Sequence, residues 1–352
     1  MRRHGNLYPK IITFENICEA YRKAALGRRY IHEVLRFRND LEENLISIQE
    51  DLISRTYQPG PYWTFSIFEP KKRTIYVSPF RDRVVHHAVM NVVEPIWDHL
   101  FIFDSFACRK FKGGHDAMYR VVKFFRELKQ QSEKVYCLKG DVSKFFPSIN
   151  HHILMKLIER KIKCRDTLAL IRKIVFNAGD ESDPDSKNMP IGSLLSQWSA
   201  NLYLNELDYH IKHRMRVKYY VRYMDDFVLL DADKARLHAF KAEISAYLND
   251  NLRLQLNPKS DVFPADRGID FVGYRIWPSY RLVRKSTLVR ATKRFKKLSY
   301  EYEHGLIDMA HVHSSVMSWF GHCGHAHVLN GKIRCLEALT LRRPPAVLDD
   351  KM

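Results

Sequence analysis

Hydrophobic positions change period along the chain, and each change marks a different kind of element. From Phe14 to about Thr56 apolar residues recur every three or four positions, with Leu41, Leu45, Ile48 and Leu52 on one face, which predicts helical structure. Pro59-Gly60-Pro61 closes that region. Between Thr64 and Val77 apolar and polar residues alternate around Glu69-Pro70-Lys71-Lys72, the pattern of a two-stranded hairpin. Helical spacing returns over 84–97 and 117–128, and Val135-Tyr136-Cys137-Leu138 reads as a buried strand. Asp and Ser crowd residues 180–188 around Pro184, which predicts a surface loop where order is most easily lost. Residues 195–215 are spaced as a helix carrying Trp198, Leu202 and Ile211 toward a sheet. Two strongly β-forming runs, 217–221 and 227–230, flank a short polar string in the arrangement of a tight hairpin. Residues 281–297 then interleave basic and apolar positions, predicting a helix with one basic face.

Composition narrows the class. At 352 residues and 45% hydrophobic content the chain can bury two or three subdomain cores. No apolar run approaches the ~20 residues of a membrane span, and Arg2-Arg3 leads into no apolar segment, so neither a transmembrane nor a secreted protein is expected. The cysteines, Cys18, Cys108, Cys137, Cys164, Cys323 and Cys335, form no C-x-x-C pair and read as reduced thiols of a cytoplasmic protein. Lys plus Arg number 58 against 40 Asp plus Glu, a formal net charge of +18 that attracts polyanions. Such charge points to a partner without saying what chemistry is done to it.

The string inside the hairpin is Tyr223-Met224-Asp225-Asp226. Two adjacent carboxylates repel each other, and apolar flanking strands leave that repulsion poorly screened, so a cation is their natural companion. Carboxylate oxygens favour a hard divalent ion, Mg2+ above all, with Mn2+ as a substitute. A solvated turn also favours Asp, and a Tyr-x-Asp-Asp string arises by chance in roughly a few per cent of chains this long. A third carboxylate decides between the two readings. Asp141 follows the strand at 135–138 and opens Asp141-Val142-Ser143-Lys144-Phe145-Phe146-Pro147, where a sheet can bring it opposite Asp225. Three carboxylates around two ions suit in-line phosphoryl transfer, one ion activating the attacking hydroxyl and the other stabilising the leaving pyrophosphate.

Asp141 with Phe145-Phe146, the segment Pro190-Ile191-Gly192-Ser193-Leu194-Leu195-Ser196-Gln197, and Tyr223-Met224-Asp225-Asp226 have the order and spacing of reverse transcriptase palm motifs. The chain resembles that family from about Asn6 to Gly324, with Arg73-Thr74-Ile75, Asp82 to Ala88, Asp104 to Arg109 and Phe271-Val272-Gly273-Tyr274 in support. The resemblance implies an α+β, right-hand polymerase with fingers, palm and thumb, a mainly antiparallel palm sheet and a helical thumb. It divides the chain into an N-terminal helical extension at 1–60, a fingers-and-palm domain at 61–275 and a thumb at 276–352. It implies an RNA-directed DNA polymerase that uses two Mg2+ ions and handles template RNA, the RNA/cDNA hybrid and deoxynucleoside triphosphates.

Roles follow from the same resemblance. Asp141 and Asp225 are the direct metal ligands, the Val142 carbonyl adds an oxygen, and Asp226 is more peripheral. Lys71 or Lys72, Arg73, Lys144, Phe145, Phe146, Ile191, Gly192 and Gln197 surround the nucleotide. Arg73 offers its phosphates a bidentate grip, and the Phe146 ring excludes a ribose 2′-hydroxyl. Phe271, Gly273 and Tyr274 form a primer grip, with Gly273 allowing close backbone approach. Lys259 is a candidate general acid, although the family's usual Lys-Thr pairing is absent. Arg290, Lys293, Arg294 and Lys297 track the nucleic-acid backbone. His322, His325 and His327 near Cys323 and His313 lack zinc-like ligand spacing and read as packed or solvated histidines.

Within the family the chain is most similar to reverse transcriptases of diversity-generating retroelements. Gly5-Asn6-Leu7-Tyr8, Glu69-Pro70-Lys71-Lys72-Arg73, Ala107-Cys108-Arg109 and Ile191-Gly192 ahead of Ser196-Gln197 carry that likeness. It implies a bacterial or phage-encoded enzyme, misincorporation opposite template adenines, and an accessory variability determinant protein as partner. Ile191 stands where most relatives carry Gln, and it offers only van der Waals contact to a nascent pair. Two other readings remain: a bacterial reverse transcriptase of phage-defence or group II-like type, and a nonenzymatic RNA-binding module. The lack of a maturase or endonuclease extension weighs against the intron form, and intact Asp141, Asp225 and Asp226 weigh against the module.

Overall fold

The structure, a computed structural model, describes residues 3–68 and 73–342. The chain opens with helices α1 (Tyr8–Ile11), α2 (Phe14–Ala25), α3 (His32–Asn39) and α4 (Leu41–Ile53), then strands β1 (Trp63–Ile67) and β2 (Arg73–Val77). Helices α5 (Phe80–Asp98) and α6 (Gly114–Gln131) lead to β3 (Tyr136–Asp141). Next come α7 (Phe145–Ser148), α8 (His151–Glu159), α9 (Arg165–Phe176) and α10 (Leu194–Tyr209), the last running into a π-helical turn at His210–Arg214. Strands β4 (Tyr220–Tyr223) and β5 (Asp226–Asp231), helix α11 (Lys234–Leu252) and strand β6 (Asp261–Pro264) follow. Strands β7 (Ile269–Phe271), β8 (Tyr274–Ile276) and β9 (Arg281–Val283), then α12 (Lys285–Glu303), α13 (Met309–Gly324) and α14 (Leu329–Glu337) complete the order.

The chain forms two compact units. The first comprises the chain up to Lys112, Gly140–Lys218 and Ala239–Ser260. Its centre is α5, whose Val84, Val85, Ala88, Val89, Met90, Val93 and Trp97 are buried against α2, α3 and α10. The Thr13 side chain caps α2 by accepting from the Asn16 amide at 3.3 Å, and Ile17, Ala20 and Ala24 turn one stripe inward. The helical structure expected over residues 14–56 is present as three helices, with breaks at Gly27 and Asp40. The expected face of α4 holds, with Leu45, Ile48 and Leu52 buried. Strands β1 and β2 pair antiparallel as anticipated, Phe65 opposite Ile75, while the connecting Glu69-Pro70-Lys71-Lys72 lies outside the described residues. The acidic loop at 180–188 is well tied down: Ser186 Oγ bonds the buried His151 ring at 3.0 Å, and Arg253 pairs with Asp185.

The second unit comprises Gly113–Lys139, Tyr219–His238 and the chain from Asp261 onward. A four-stranded sheet runs in the order β4-β5-β3-β6, antiparallel between β4 and β5 and between β3 and β6. Phe227, Val228, Leu229 and Leu230 are all buried, so β5 is covered on both faces, and α6 packs across β4 and β5. A separate three-stranded sheet, β7-β8-β9, corrects one sequence expectation. Arg281–Val283 is a strand paired with Tyr274–Ile276, and the basic helix begins only at Lys285. Local spacing favoured a helix there, and a pairing partner from earlier in the chain overrode it.

Candidate functional site

In the second unit β4 and β5 meet at Tyr223 opposite Asp226, leaving Met224 and Asp225 as a two-residue turn. Met224 has φ 58°, the left-handed conformation that such turns require at their first central position. Arg222 stabilises it: the side chain is fully buried, and Nη1 donates to the Met224 carbonyl at 2.9 Å. Asp225 is half-buried at the tip. Asp226 forms an ion pair with Lys139 on β3, and the Lys139 ammonium also lies 5.1 Å from the Phe271 ring centroid. Neither Arg222 nor Lys139 was marked as functional by sequence motif; both are ordinary strand positions until pairing places them under the turn.

Phe271 and Tyr274 face each other across the β7–β8 turn, both buried. Val272 and Gly273 have φ 41° and 92°, so the turn needs positive φ at both central residues. A Cβ on Gly273 would meet only ordinary contact, His322 Cε1 at 3.7 Å, so its conformation rather than close approach explains the glycine. The Tyr274 hydroxyl bonds His115 Nε2 at 2.9 Å and His322 Nδ1 at 3.0 Å, and burial pushes its pKa up. His325 stacks on His115 at 3.6 Å between ring centroids, and burial lowers the pKa of both His115 and His322. These histidines are packed side chains. Among the described residues no three His, Cys, Asp or Glu gather into a metal-holding cluster.

Arg290, Lys293, Arg294 and Lys297 are exposed on α12, opposite the buried Ala291, Phe295 and Leu298. The Gly113-Gly114 junction that opens α6 lies in this unit too. A Cβ on Gly114 would sit 3.6 Å from Val272 and 3.9 Å from Tyr223, so the helix start passes close to both turns.

In the first unit Asp141, the last residue of β3, is half-buried, and its carboxylate is oriented. Asn257 Nδ2 donates to Asp141 Oδ2 at 2.8 Å, while the Asn257 backbone N–H donates to the Asp141 carbonyl at 2.8 Å. Ser260 Oγ accepts from the Asp141 amide at 3.2 Å. Val142 bridges Leu256, and Lys144, exposed at φ 45°, opens α7. Phe145 is buried and Phe146 half-buried, their ring centroids 5.5 Å apart, so Phe146 is the ring with a free surface. Ile191 is half-buried beside Gly192, whose φ of 118° carries the backbone past β2, where a Cβ would lie 3.4 Å from the Tyr76 carbonyl. Gln197 is half-buried on the first turn of α10. Ser193, just before that helix, bonds the buried His86 at 3.1 Å. Arg73 begins β2, and Lys71 lies outside the described residues. Lys259 is exposed in the turn after Asn257, to whose side chain its amide donates at 3.0 Å.

An acid-tipped hairpin on an antiparallel sheet, within a mixed helix and sheet fold, is that of a right-hand polymerase. A solved structure with a similar fold is apo telomerase from Candida Tropicalis, at TM-score 0.51 and 13% identity, covering 67% of this chain and 50% of that one. Residues 68–276, more than half of the chain, match the family described as Reverse transcriptase (RNA-dependent DNA polymerase). The chain belongs to that family and is by class a nucleotidyltransferase, an RNA-directed DNA polymerase. Protein YkfC of Escherichia coli (strain K12) is 27% identical over 275 residues, 65% of this chain and 70% of that protein. Group II intron-encoded protein LtrA of Lactococcus lactis subsp. cremoris is 23% identical over 325 residues, 73% of this chain and 52% of LtrA. The chain thus spans about half the length of LtrA and of the telomerase chain. Among the described residues no helix is long and apolar enough to cross a membrane, and all six cysteines are unpaired.

Proposed function

We propose that the chain copies template RNA into cDNA by nucleotidyl transfer at Asp141 and Asp225. The observation that carries the reading is the hairpin tip, which presents Asp225 on a turn held by buried Arg222 while Asp226 is engaged by Lys139. Members of the family work with divalent ions such as Mg2+. The donors fit that choice, since Asp141, Asp225 and the Val142 carbonyl offer hard oxygens without competing sulfur or imidazole. Bound there, such ions lower the pKa of the primer hydroxyl and neutralise charge on the departing pyrophosphate. Asn257, by occupying Asp141 Oδ2, fixes which oxygen faces the ion. Phe146 presents the ring that excludes a ribose 2′-hydroxyl, and Ile191, Gly192 and Gln197 border the base. Arg73 and Lys144 meet the triphosphate, and Lys259 is the candidate proton donor to pyrophosphate. Phe271, Gly273 and Tyr274 hold the primer end. The helical extension at 1–60, the fingers and palm at 61–275 and the thumb at 276–352 belong to the same proposal.

The finer reading is that of a diversity-generating retroelement, in which cDNA made with errors opposite adenine diversifies a target gene with an accessory protein's help. Ile191-Gly192 with Ser196-Gln197 supports it. The likeness to an intron-encoded protein supports a second reading, a group II-like enzyme without mutagenic role. Primer extension with Mg2+, an RNA template and deoxynucleotides tests the polymerase, with Asp225→Asn expected to lose at least ~1,000-fold in rate. An Asp225→Asn enzyme as active as wild type would remove the reading. Sequencing the cDNA separates the finer alternatives, because errors concentrated at template adenines are expected only of the first.

A further inference from the structure

Lys139 gathers three features of the second unit. Its ammonium pairs with Asp226, and both side chains are largely shielded, at 21% and 27% exposure. The paired oxygen, Asp226 Oδ1, is buried, and among the described residues Lys139 is the cation set against it. The same ammonium lies on the face of Phe271, 5.1 Å from the ring centroid, a cation–π distance. Asp226 immediately follows the Asp225 tip, and Phe271 immediately precedes the Val272-Gly273 turn. One cation therefore lies beside the turn-closing residues of two different hairpins.

We infer that Lys139 is a positioning residue that keeps Asp226 away from the divalent-ion site and ties the acid-tipped hairpin to the β7–β8 hairpin, so that Asp225 alone of the pair supports nucleotidyl transfer. The inference rests on the polymerase reading of that site. Removing Lys139 leaves a shielded carboxylate uncompensated one residue from Asp225, where like charges repel and invite Asp226 to compete for cations. It also takes the cation from the face of Phe271. A compact ammonium can serve both partners at once, whereas the planar guanidinium of arginine is bulkier and orients differently.

The test compares the full chain with Lys139→Met, Lys139→Arg, Asp226→Asn, the Lys139→Met/Asp226→Asn double variant and Asp225→Asn. Three readouts are single-nucleotide extension on an RNA template, primer-template affinity by fluorescence anisotropy without deoxynucleotides, and melting temperature. Lys139→Met is expected to slow extension roughly tenfold and weaken primer-template binding. Asp226→Asn alone slows extension by about threefold, and adding it to Lys139→Met brings the rate back to that of Asp226→Asn but does not restore the binding, because the Phe271 contact is still missing. Lys139→Arg falls between wild type and Lys139→Met. Wild-type rate and affinity in Lys139→Met would overturn the inference. So would Asp226→Asn as inactive as Asp225→Asn, which would make Asp226 a ligand; that single variant decides the matter if Lys139→Met does not fold. Wild type no faster than Asp225→Asn would instead defeat the polymerase reading.

Discussion

Ile191 presents a branched apolar surface at a position where a glutamine would offer both a donor and an acceptor. Its place is fixed by its neighbour, since Gly192 at φ 118° runs 3.4 Å from the Tyr76 carbonyl, counted from where a Cβ would sit. A φ of 118° is a conformation that side chains rarely adopt, so any residue but glycine at 192 would be strained beside Ile191. Under the proposed function, Ile191→Gln adds about one net hydrogen bond to a correctly shaped pair, worth about 1 kcal/mol and so roughly a fivefold gain in discrimination. The expected outcome is a lower error frequency opposite template adenine in sequenced cDNA, with extension on other templates little changed; an unchanged adenine error spectrum would clear Ile191 of the role. Asp225, Phe146 and Ile191 could all be named from local strings. Arg222, Lys139 and Asn257 could not, because each matters through a partner that only folding supplies: a carbonyl at the turn, a carboxylate on a neighbouring strand, a carboxylate oxygen at a strand end.

Turn chemistry and burial set what each element can tolerate. The β7–β8 turn places a β-branched residue, Val272, at φ 41°, where asparagine or glycine would rest with less strain. Val272→Asn should raise stability by about 1 kcal/mol, read from urea unfolding midpoints at constant m-value. Helix α5 has the opposite character, stable at neutral pH and sensitive to acid. Burial pushes the pKa of His86 down to about 3, and burial with nearby Lys23, Arg28 and Arg83 pushes His87 to about 4. Both are neutral when folded and take up protons on unfolding below about 6.5. Their stabilising effect is therefore complete above pH 6.5 and lost as pH falls toward 4, by up to about 1.4 kcal/mol per pH unit for each histidine. Unfolding curves at pH 7.5 and 5 should show that loss, and His86→Gln should flatten the difference. The β1–β2 and β4–β5 hairpins and helices α4, α5, α6 and α10 were legible because period two and period 3.6 are written locally. β9 was not, because its three residues read as the start of α12 and only the β8 edge makes them a strand.

For the whole chain the deciding quantity is charge, a formal +18. The sequence shows the sign of that charge but not where it is focused, since the periodic basic residues of 281–297 were read together with those of β9. The structure narrows the stripe. Arg290, Lys293, Arg294 and Lys297 follow the i, i+3, i+4, i+7 spacing of a single helix face, all exposed, while Ala291, Phe295 and Leu298 anchor the other side of α12. Some of that charge is already engaged, Arg294 donating a part-buried hydrogen bond to Ser315 at 3.2 Å and Lys297 pairing with Glu301 at 3.5 Å, but an ion pair of the latter kind exchanges readily for phosphate. A face meant for a nucleic-acid backbone should reveal itself through counterion release: each phosphate contact contributes about −0.9 to the slope of log affinity against log salt on a duplex. Replacing all four residues with glutamine, which keeps helix propensity, should make that slope shallower by up to about 3.6 units for an RNA/DNA hybrid and leave the melting temperature near wild type. An unchanged slope would mean that this face meets solvent and that the chain's excess charge binds its polyanion elsewhere.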